Sequence, residues 1–434
     1  MFNGDNMNEY IVKKVNRPLS GTVVVPGSKS MTNRALLLAA LLENKSVLEG
    51  VLFSDDSRHF LQCLIDLGYD IKIDETAARV ELVGCGNNIP YKTGTINVGS
   101  AGTAARFLTA MLALSDGEYV IECSEQMERR PMEELFRVLT EMGASFEYLK
   151  SAGHLPVRVK GNAGMCKDIT MDISKSTQFL SAMLMVTPVT ESGIRIDITS
   201  DKKTGAYINI TMRMLKEFGV EVEFDGDGYL VKGGQRISIG NYYIEPDVSA
   251  ACYFYGAAAI TGGSVTVKNV FFSSMQGDMK FLKLLEDMGC TLTETAHGIC
   301  LTGPENGCLS GIDVDMNDFS DQALTLAAIA PYATGDVIIR NVGHIRGQEC
   351  NRIEAIINEL TRVGIECHTA GDDIYIKPGE VKPARIETYD DHRVAMAMSL
   401  LGLRADGIVI DNPMCCKKTF EKYFDIFDRF TQGD

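Results

Sequence analysis

Residues 279–294 read MKFLKLLEDMGCTLTE, and this stretch combines the two periodicities that decide the fold. Apolar side chains recur three and four residues apart up to Gly289 and at every second residue after it, which predicts an amphipathic helix followed by a strand. A glycine at that junction suits the left-handed conformation in which helices commonly end. The stretch therefore predicts a helix that is capped by Gly289 and leads directly into a strand.

The same helix–glycine–strand pattern recurs along the chain. The other copies are HFLQCLIDLGYDIKI around Gly68, MEELFRVLTEMGASFEY around Gly143, ITMRMLKEFGVEVEF around Gly219 and IEAIINELTRVGIECH around Gly364. Recurrence of one supersecondary unit over a whole chain indicates a repeat architecture.

A second element alternates with the first: an apolar, alanine-rich helix opened by small polar or acidic residues. Its copies are SKSMTNRALLLAAL, SAGTAARFLTAMLAL, SKSTQFLSAMLMV, EPDVSAACYFYGAAAI, FSDQALTLAAIAPYA and YDDHRVAMAMSLLGL. The intervals are 71, 75, 73, 72 and 70 residues when the openings are taken as Met31, Gly102, Thr177, Ala250, Gln322 and His392. This regularity predicts six copies of one unit, with the apolar helices in the cores. A generic α/β protein with evenly spaced helices is the alternative.

Composition limits the class of protein. The 434 residues are long enough for at least two cores, and 58 acidic against 42 basic residues disfavour non-specific attraction to nucleic acid or anionic lipid. The 12 scattered cysteines lack a CxxC pair, which predicts reduced thiols. The N-terminus lacks the apolar core of a secretory signal, and no apolar stretch reaches the ~20 residues that cross a bilayer. We therefore expect a cytoplasmic protein without a nucleic-acid or membrane partner.

The helix openings of the two halves of the chain differ in chemistry. Those of the first half carry Ser28, Lys29, Ser30, Ser100, Gly102, Thr103, Ser174, Lys175, Ser176 and Thr177. Such openings leave backbone amides available for phosphate or carboxylate at a helix N-terminus. Those of the second half carry Asp247, Asp321, Asp390 and Asp391, which are expected to be N-caps. The first half is thus predicted to bind anions and the second to supply acids.

Each motif taken alone also has a plain structural explanation. Lys29 and Arg34 can be solvated charges, and GSAGTAAR lacks the ending of a P-loop. Arg129 and Arg130 can simply precede a helix that Pro131 begins, and YDDHR can be a helix cap. No His/Cys/Asp cluster has metal-ligand spacing and no GxSxG elbow occurs, so neither a metal nor a serine-triad mechanism is supported.

Eight segments are spread in order from about Leu19 to Phe424. They are PGSKSMTNRALLLAA, NVGSAGTAARFLTA, ERRP, SKSTQFLSAML, SMQGD, RGQECNR, YDDHRVAMAMSL and KKTFEKYF. In this order they resemble the enolpyruvyl transferase family, most closely its shikimate-pathway branch. The resemblance implies a two-domain inside-out α/β barrel of six βαβαββ repeats, three per domain, with a double crossover. We map residues 1–25 and 246–434 to the C-terminal-half globule, which the N-terminal strand joins, and residues 26–245 to the N-terminal-half globule.

The resemblance also implies a reaction. The enolpyruvyl group of phosphoenolpyruvate would move to the 5-hydroxyl of shikimate 3-phosphate through a tetrahedral ketal, with release of phosphate. Such a path needs acid and base groups that exchange roles, and cations that hold phosphates and carboxylates. It implies no metal and no cofactor. The expected partners are these two small molecules, and we expect a monomer.

Site residues follow from the same resemblance, motif by motif. The implied catalytic residues are Lys29, Asp321, which would take the hydroxyl proton, and Glu349, which would serve the methylene carbon. The implied shikimate 3-phosphate site consists of Lys29, Ser30, Arg34, Ser176, Thr177, Gln178, Tyr207, Asp321, His344 and Gln348. The implied phosphoenolpyruvate site consists of Lys29, Gly102, Arg130, Gln178, Arg352, Arg393 and Lys418. Arginine suits that role because its guanidinium group can bind oxyanions bidentately.

Several positions depart from the family's pattern. The usual Lys-Glu-Ser/Thr-Asp-Arg is replaced by QECNR at residues 348–352, so Gln348 removes one positive charge. His344 stands where asparagine is common, Phe107 where proline is frequent, and Lys175 where a small or apolar residue is usual. We hypothesise that Lys175 restores the missing charge. The alternatives are another acceptor, namely UDP-N-acetylglucosamine or a shikimate-like compound, and a non-catalytic metabolite-binding paralog.

Overall fold

The computed structural model of the chain describes residues 8–162 and 168–433. Residues 1–7 lie outside the described residues. They are part of the N-terminal stretch for which the sequence predicts no secretory signal. Contacts between Cα atoms divide the chain into two units. We call Gly27–Ile244 the N-unit, and Met1–Pro26 together with Glu245–Asp434 the C-unit. The chain therefore passes between units twice.

The secondary-structure elements are short and are numbered along the chain. The strands are β1 (Glu9–Ile11), β2 (Ser20–Val23), β3 (Lys45–Glu49), β4 (Asp70–Asp74), β5 (Arg79–Val83), β6 (Thr93–Asn97), β7 (Glu118–Glu122), β8 (Ser145–Tyr148), β9 (Val157–Lys160), β10 (Ile169–Met171), β11 (Ile194–Ile198), β12 (Val222–Phe224), β13 (Gly228–Val231), β14 (Asn241–Tyr243), β15 (Ser264–Val267), β16 (Thr291–Thr295), β17 (Gly298–Thr302), β18 (Ile312–Asp315), β19 (Val337–Arg340), β20 (Cys367–Ala370), β21 (Asp373–Ile376), β22 (Ala384–Ile386) and β23 (Ile408–Asp411). The α-helices are α1 (Lys29–Ala40), α2 (Asp55–Asp66), α3 (Gly102–Ala113), α4 (Glu125–Glu128), α5 (Glu133–Glu141), α6 (Thr177–Val186), α7 (Ala206–Glu217), α8 (Val248–Thr261), α9 (Met279–Asp287), α10 (Ala323–Ile329), α11 (Arg352–Arg362), α12 (His392–Met398) and α13 (Tyr423–Gln432). Three 3-10 turns carry residues of the candidate site: Ser320–Gln322, Gly343–Gly347 and Pro413–Lys418.

The described residues of each unit form three small sheets. The N-unit sheets have the orders β14-β3-β5-β4, β6-β7-β9-β8 and β10-β11-β13-β12, and the C-unit sheets have the orders β2-β15-β17-β16, β18-β19-β21-β20 and β1-β23-β22. In each four-stranded sheet the first pair is parallel, as β6 and β7 are, and a hairpin completes it antiparallel. Because a parallel pair requires a crossover, each such sheet has the strand arrangement of one βαβαββ unit. The predicted α/β class and its repeat are confirmed.

Two sheets take their first strand from a distant part of the chain. Strand β2 precedes α1 but pairs parallel with β15, with Ser20 opposite Ser264. Strand β14 precedes α8 but pairs parallel with β3, with Asn241 opposite Val47. The first strands of the first and fourth repeats are therefore exchanged where the chain passes between units.

The sixth repeat departs from the predicted pattern. It contains β22, α12, β23 and α13, and no hairpin follows α13 in the described residues. Strand β1 instead pairs antiparallel with β23, on the side that a hairpin strand occupies in the other sheets. The edge of this sheet is therefore covered from the N-terminal end of the chain, which local periodicity could not reveal.

The alanine-rich helices form the cores. Helix α3 packs on α1 and α6 in the N-unit, and α10 packs on α8 and α12 in the C-unit. Every residue of α3 is buried, as is the run from Met31 to Ala40 in α1. All six core helices begin within two residues of the predicted openings. The prediction that helices apolar on every side lie in cores is confirmed.

Glycine ends each outer helix as the sequence predicts. The residues and their φ angles are Gly68 (89°), Gly143 (100°), Gly219 (78°), Gly289 (106°) and Gly364 (84°). They follow α2, α5, α7, α9 and α11, and a hairpin comes after each. The positive φ explains the requirement for glycine, since a side chain in this conformation is strained.

Two further features concern the helices and the cysteines of both units. None of the helices in the described residues is long and apolar enough to span a membrane. The cysteines of the described residues are free thiols, and Cys166 lies outside that part of the chain.

Gly219→Ala tests the capping role of these glycines. A methyl group there would meet no atom within 4 Å, so the cost is that of the left-handed backbone alone, about 1–2 kcal/mol. We expect a corresponding decrease in the free energy of unfolding measured in urea. Gly240→Ala is the control, because its surroundings are equally open and its φ is not left-handed. Equal destabilisation by the two substitutions would contradict the capping role.

Candidate active site

Lys29 begins α1, directly after the N-cap Ser28. Its Nζ lies 3.5 Å from Oδ2 of Asp56, a carboxylate in the first turn of α2 that is only 3% exposed. The other carboxylate oxygen of Asp56 has no hydrogen-bond partner among the described residues. Asp56 is absent from the predicted site because its surroundings, FSDDSRHF, indicate only a helix start; indeed Ser54 caps α2. The pairing suggests that Asp56 holds the Lys29 side chain.

Arg34 lies inside the N-unit, 1% exposed. Its guanidinium group donates to Thr211 Oγ1 (2.8 Å), Ser181 Oγ (3.3 Å) and the carbonyl oxygens of Ser30 (2.9 Å) and Tyr207 (3.1 Å). All four acceptors are uncharged, and burial lowers the pKa of Arg34 to about 10. Four of its five N–H groups thus donate to protein atoms. The predicted contact of Arg34 with shikimate 3-phosphate would therefore use the remaining N–H on Nη1.

Gly102 brings two further arginines together. A Cβ atom on Gly102 would lie 2.6 Å from Arg130 Nη1 and 3.0 Å from Arg106 Nη1, so a side chain at this position would displace at least the Arg130 guanidinium group. Arg106 also donates to Gln178 Oε1 at 2.5 Å, which connects α3 to the start of α6. Arg130 makes no ion pair within the described part of the chain. Arg106 is buried and was not predicted, because an arginine within an apolar helix gave no ligand signal.

The start of α6 contributes the remaining predicted N-unit residues. Ser176 is the N-cap, and its Oγ accepts from the Gln178 amide at 3.3 Å. Thr177 is the first residue of α6, and Tyr207 lies in the first turn of α7. Lys175 is exposed, with Nζ 3.5 Å from Glu133 Oε2, so in this structure its charge is already paired within the N-unit.

Arg352 is the centre of the cluster of candidate site residues in the C-unit. This guanidinium group is 1% exposed and donates through Nε to Asp391 Oδ2 (2.8 Å). Nη1 donates to Asp321 and Gln348, and Nη2 donates to Glu349, all at 2.9 Å, with a longer bond of 3.4 Å to Asp391 Oδ1. All five N–H groups therefore have protein acceptors. The predicted contact of Arg352 with phosphoenolpyruvate requires that a ligand oxygen replace one of them.

Two more cations complete this cluster. Arg393 Nη2 donates to Asp321 Oδ2 at 2.9 Å, and Lys418 Nζ lies 3.5 Å from Glu349 Oε1. The predicted acids Asp321 and Glu349 are therefore brought together, each between Arg352 and a second cation. Arg352, Arg393 and Lys418, predicted from separate motifs, also meet here.

The prediction of an N-cap is correct for two acids and wrong for a third. Asp247 accepts from the Ala250 amide at 3.0 Å, and Asp391 accepts from the Arg393 amide at 2.8 Å. Asp321 lies in the turn Ser320–Gln322 and is not at an N-cap position, since Phe319 is the N-cap of this turn and Gln322 is that of α10. Its two oxygens are bonded to guanidinium groups instead, which outcompete a neutral amide.

The departures from the family pattern have local explanations. Gln348 supplies Oε1 as an acceptor for Arg352, a function that the usual lysine cannot perform. Cys350 Sγ lies 3.5 Å from Asp391 Oδ2. His344 Nε2 lies 2.7 Å from Ser320 Oγ, next to Asp321, on an open polar pocket of about 650 Å³. Gln348 thus shares Arg352 Nη1 with Asp321, and His344 bonds the residue before Asp321.

Asp278 is a second carboxylate that sequence reasoning missed. It is buried within electrostatic range of Asp321, and its Oδ2 accepts from Ser249 Oγ and from Gln322 Nε2 at 3.0 Å. Burial, reinforced by the charge of Asp321 and opposed by Arg393, raises the pKa of Asp278 to about 6. The only sequence signal was its place in SMQGD, a family segment without an assigned role.

Comparisons with known proteins decide the family. A family model described as EPSP synthase (3-phosphoshikimate 1-carboxyvinyltransferase) matches residues 13–427. The chain belongs to the EPSP synthase family.

Relatives of this family match over nearly the whole chain. A protein of Nostoc sp. named 3-phosphoshikimate 1-carboxyvinyltransferase is 43% identical over 97% of this chain and 99% of its own length. The chloroplastic relative of that name from Arabidopsis thaliana is 39% identical over 99% of this chain and 85% of its own. The solved structure of EPSP synthase from Acinetobacter baumannii has a TM-score of 0.82 at 26% identity and covers 98% of both chains. The fold and the family therefore agree with the resemblance drawn from the motifs.

Asp278→Asn tests the unusual position of that carboxyl group. The pKa is higher in the folded protein than in an unfolded chain, so the folded state binds the proton more tightly and loses this stabilisation as pH rises from about 4 to 6. Relative to the unsubstituted protein, the variant should gain up to about 3 kcal/mol in unfolding free energy between pH 4 and 7. Urea unfolding across this range measures the difference, and parallel pH curves would contradict the raised pKa.

Proposed function

We propose that this chain transfers the enolpyruvyl group of phosphoenolpyruvate to the 5-hydroxyl of shikimate 3-phosphate and releases phosphate. The observation that carries the proposal is the pairing of Asp321 and Glu349 on one buried guanidinium group, within a chain that matches the EPSP synthase family model over residues 13–427. The acceptor oxygen bonds to C2 of phosphoenolpyruvate while C3 gains a proton. The C2–O bond to phosphate then breaks, and loss of a proton from the methyl group restores the double bond.

Two carboxylates suit this sequence of proton transfers. In the proposed mechanism Asp321 takes the hydroxyl proton, Glu349 serves the methylene carbon, and Lys29 assists proton transfer to the donor. Arg352 supports the first two roles because it fixes both carboxylates at 2.9 Å. His344, which bonds Ser320, and Gln348, which bonds Arg352, are proposed to contact the acceptor substrate.

The binding of the two anionic substrates rests on the basic residues. Arg34 is a buried charge whose described partners are all uncharged, and Arg130 pairs with no described carboxylate. A buried cation without a counter-charge is stabilised by a bound anion. We propose that Arg130, Gly102, Arg393 and Lys418 hold phosphoenolpyruvate, with Gln178 contacting both substrates. The proposed sites for shikimate 3-phosphate are Ser30, Arg34, Ser176, Thr177 and Tyr207.

A phosphate-release assay tests the function. We expect release when phosphoenolpyruvate is supplied with shikimate 3-phosphate, and little or none with UDP-N-acetylglucosamine or unphosphorylated shikimate. If phosphate is released from phosphoenolpyruvate only with another of these acceptors, that compound and not shikimate 3-phosphate is the acceptor substrate. Absence of release with any of them, together with binding of phosphoenolpyruvate, would identify a non-catalytic paralog.

Adjacent arginines provide a matched pair for donor binding. Arg130→Ala removes the guanidinium group beside Gly102 and should weaken phosphoenolpyruvate binding by about 1.5–3 kcal/mol, the value of a charged hydrogen bond. Arg129→Ala removes the same charge from an exposed neighbour and should change the affinity by less than about 0.5 kcal/mol. Titration calorimetry distinguishes the two, and equal effects would refute the role of Arg130.

A further inference from the structure

The turn before α12 is strained. Tyr389 and Asp390 have φ angles of 53° and 54°, although neither is glycine. A bulky residue with positive φ is rare, and such strain persists only when the surroundings enforce it. The next residues are Asp391, bonded to Arg352, and Arg393, bonded to Asp321. The strained turn therefore sets the position of the site residues that follow it.

A buried carboxylate holds this turn. Glu359 is 0% exposed in α11, and its Oε1 accepts from the Tyr389 hydroxyl at 2.8 Å. Its Oε2 accepts from the backbone amide of Glu387 at 3.1 Å, just before the turn. Arg362 Nε, 3.0 Å from Oε2, supplies the counter-charge. Glu359 thus bonds both the backbone that enters the turn and the side chain at its first strained residue.

Helix α11 is hydrogen-bonded to the turn at two points. Arg352 and Glu359 are seven residues apart, which places them on the same face of the helix. Arg352 bonds Asp391 after the turn, and Glu359 bonds Tyr389 within it. Both ends of the segment Tyr389–Asp391 are therefore bonded to the same helix.

We propose that Glu359 is a positioning residue, which through Tyr389 holds the left-handed turn that places Asp391 and Arg393 in the site. Glu359 itself touches no substrate in this proposal. The kinetic consequence rests on the proposed function, because Arg393 acts there on phosphoenolpyruvate. The structural consequence, a fixed start of α12, does not depend on it.

Tyr389→Phe tests the anchor while retaining the ring. Tyr10→Phe is the matched control, because the Tyr10 hydroxyl donates to Asp428 at 2.6 Å, another phenol–carboxylate bond of the C-unit. We expect Tyr389→Phe to raise KM for phosphoenolpyruvate about tenfold, since misplacement on the order of 1 Å at a site costs up to about 100-fold. Tyr10→Phe should leave KM within about twofold. Glu359→Gln, which keeps the shape but loses the charge, should resemble Tyr389→Phe.

Amide hydrogen exchange separates this proposal from the proposed function. In Tyr389→Phe the amides at residues 391–395 should exchange about tenfold faster, whereas Tyr10→Phe leaves them unchanged. If Tyr389→Phe exchanges faster but the unsubstituted protein releases no phosphate, the proposed function is refuted and the positioning role is retained. Exchange and KM that match those of Tyr10→Phe would overturn the positioning role, whatever the activity.

Discussion

The candidate site of the C-unit depends on the five hydrogen bonds of the Arg352 guanidinium group. Removing such a cation from water costs several kcal/mol, which only close and well-oriented carboxylates recover. Asp321, Glu349 and Asp391 provide them from three different segments of the chain. Because one planar group fixes all three, the two proposed acid–base residues keep a constant relation to each other. Their geometry follows from the buried arginine and not from the loops that carry them.

The N-unit shows the opposite balance of charge. Lys29 lies beside the carboxylate of Asp56, while the acceptors of Arg34 among the described residues are all neutral oxygens. The cost of this arrangement is visible in the lowered pKa of Arg34. The N-unit thus keeps the buried Arg34 without a carboxylate partner, whereas the C-unit surrounds its buried Arg352 with carboxylates. That difference agrees with the chemistry of the helix openings, which are amide-rich and basic in the first half and acidic in the second.

The repeated fold could be predicted because its signals are local. Glycines such as Gly219 are required by backbone sterics within a few residues. Helices that are apolar on every side can be predicted to be buried from their composition alone. The truncated sixth repeat could not be predicted in this way, because β1 reaches β23 from 397 residues or more away in sequence. Candidate site residues in distinctive motifs, such as Lys29 and Arg393, could be predicted through the resemblance. Asp56, Asp278 and Glu359 were missed because an acid near a helix start or on a helix face is locally ordinary, and only tertiary contacts reveal its partner.

Side-chain NMR of arginine tests the central claim most directly. In protein labelled with ¹⁵N-arginine, the Arg352 signals can be assigned by their loss in Arg352→Lys. Five simultaneous hydrogen bonds should stop rotation of the guanidinium group, so Nη1 and Nη2 should give separate signals with slowly exchanging protons. The exposed Arg129 should give one averaged signal. An averaged, rapidly exchanging signal from Arg352 would contradict the account, because a rotating guanidinium group cannot hold three carboxylates in place.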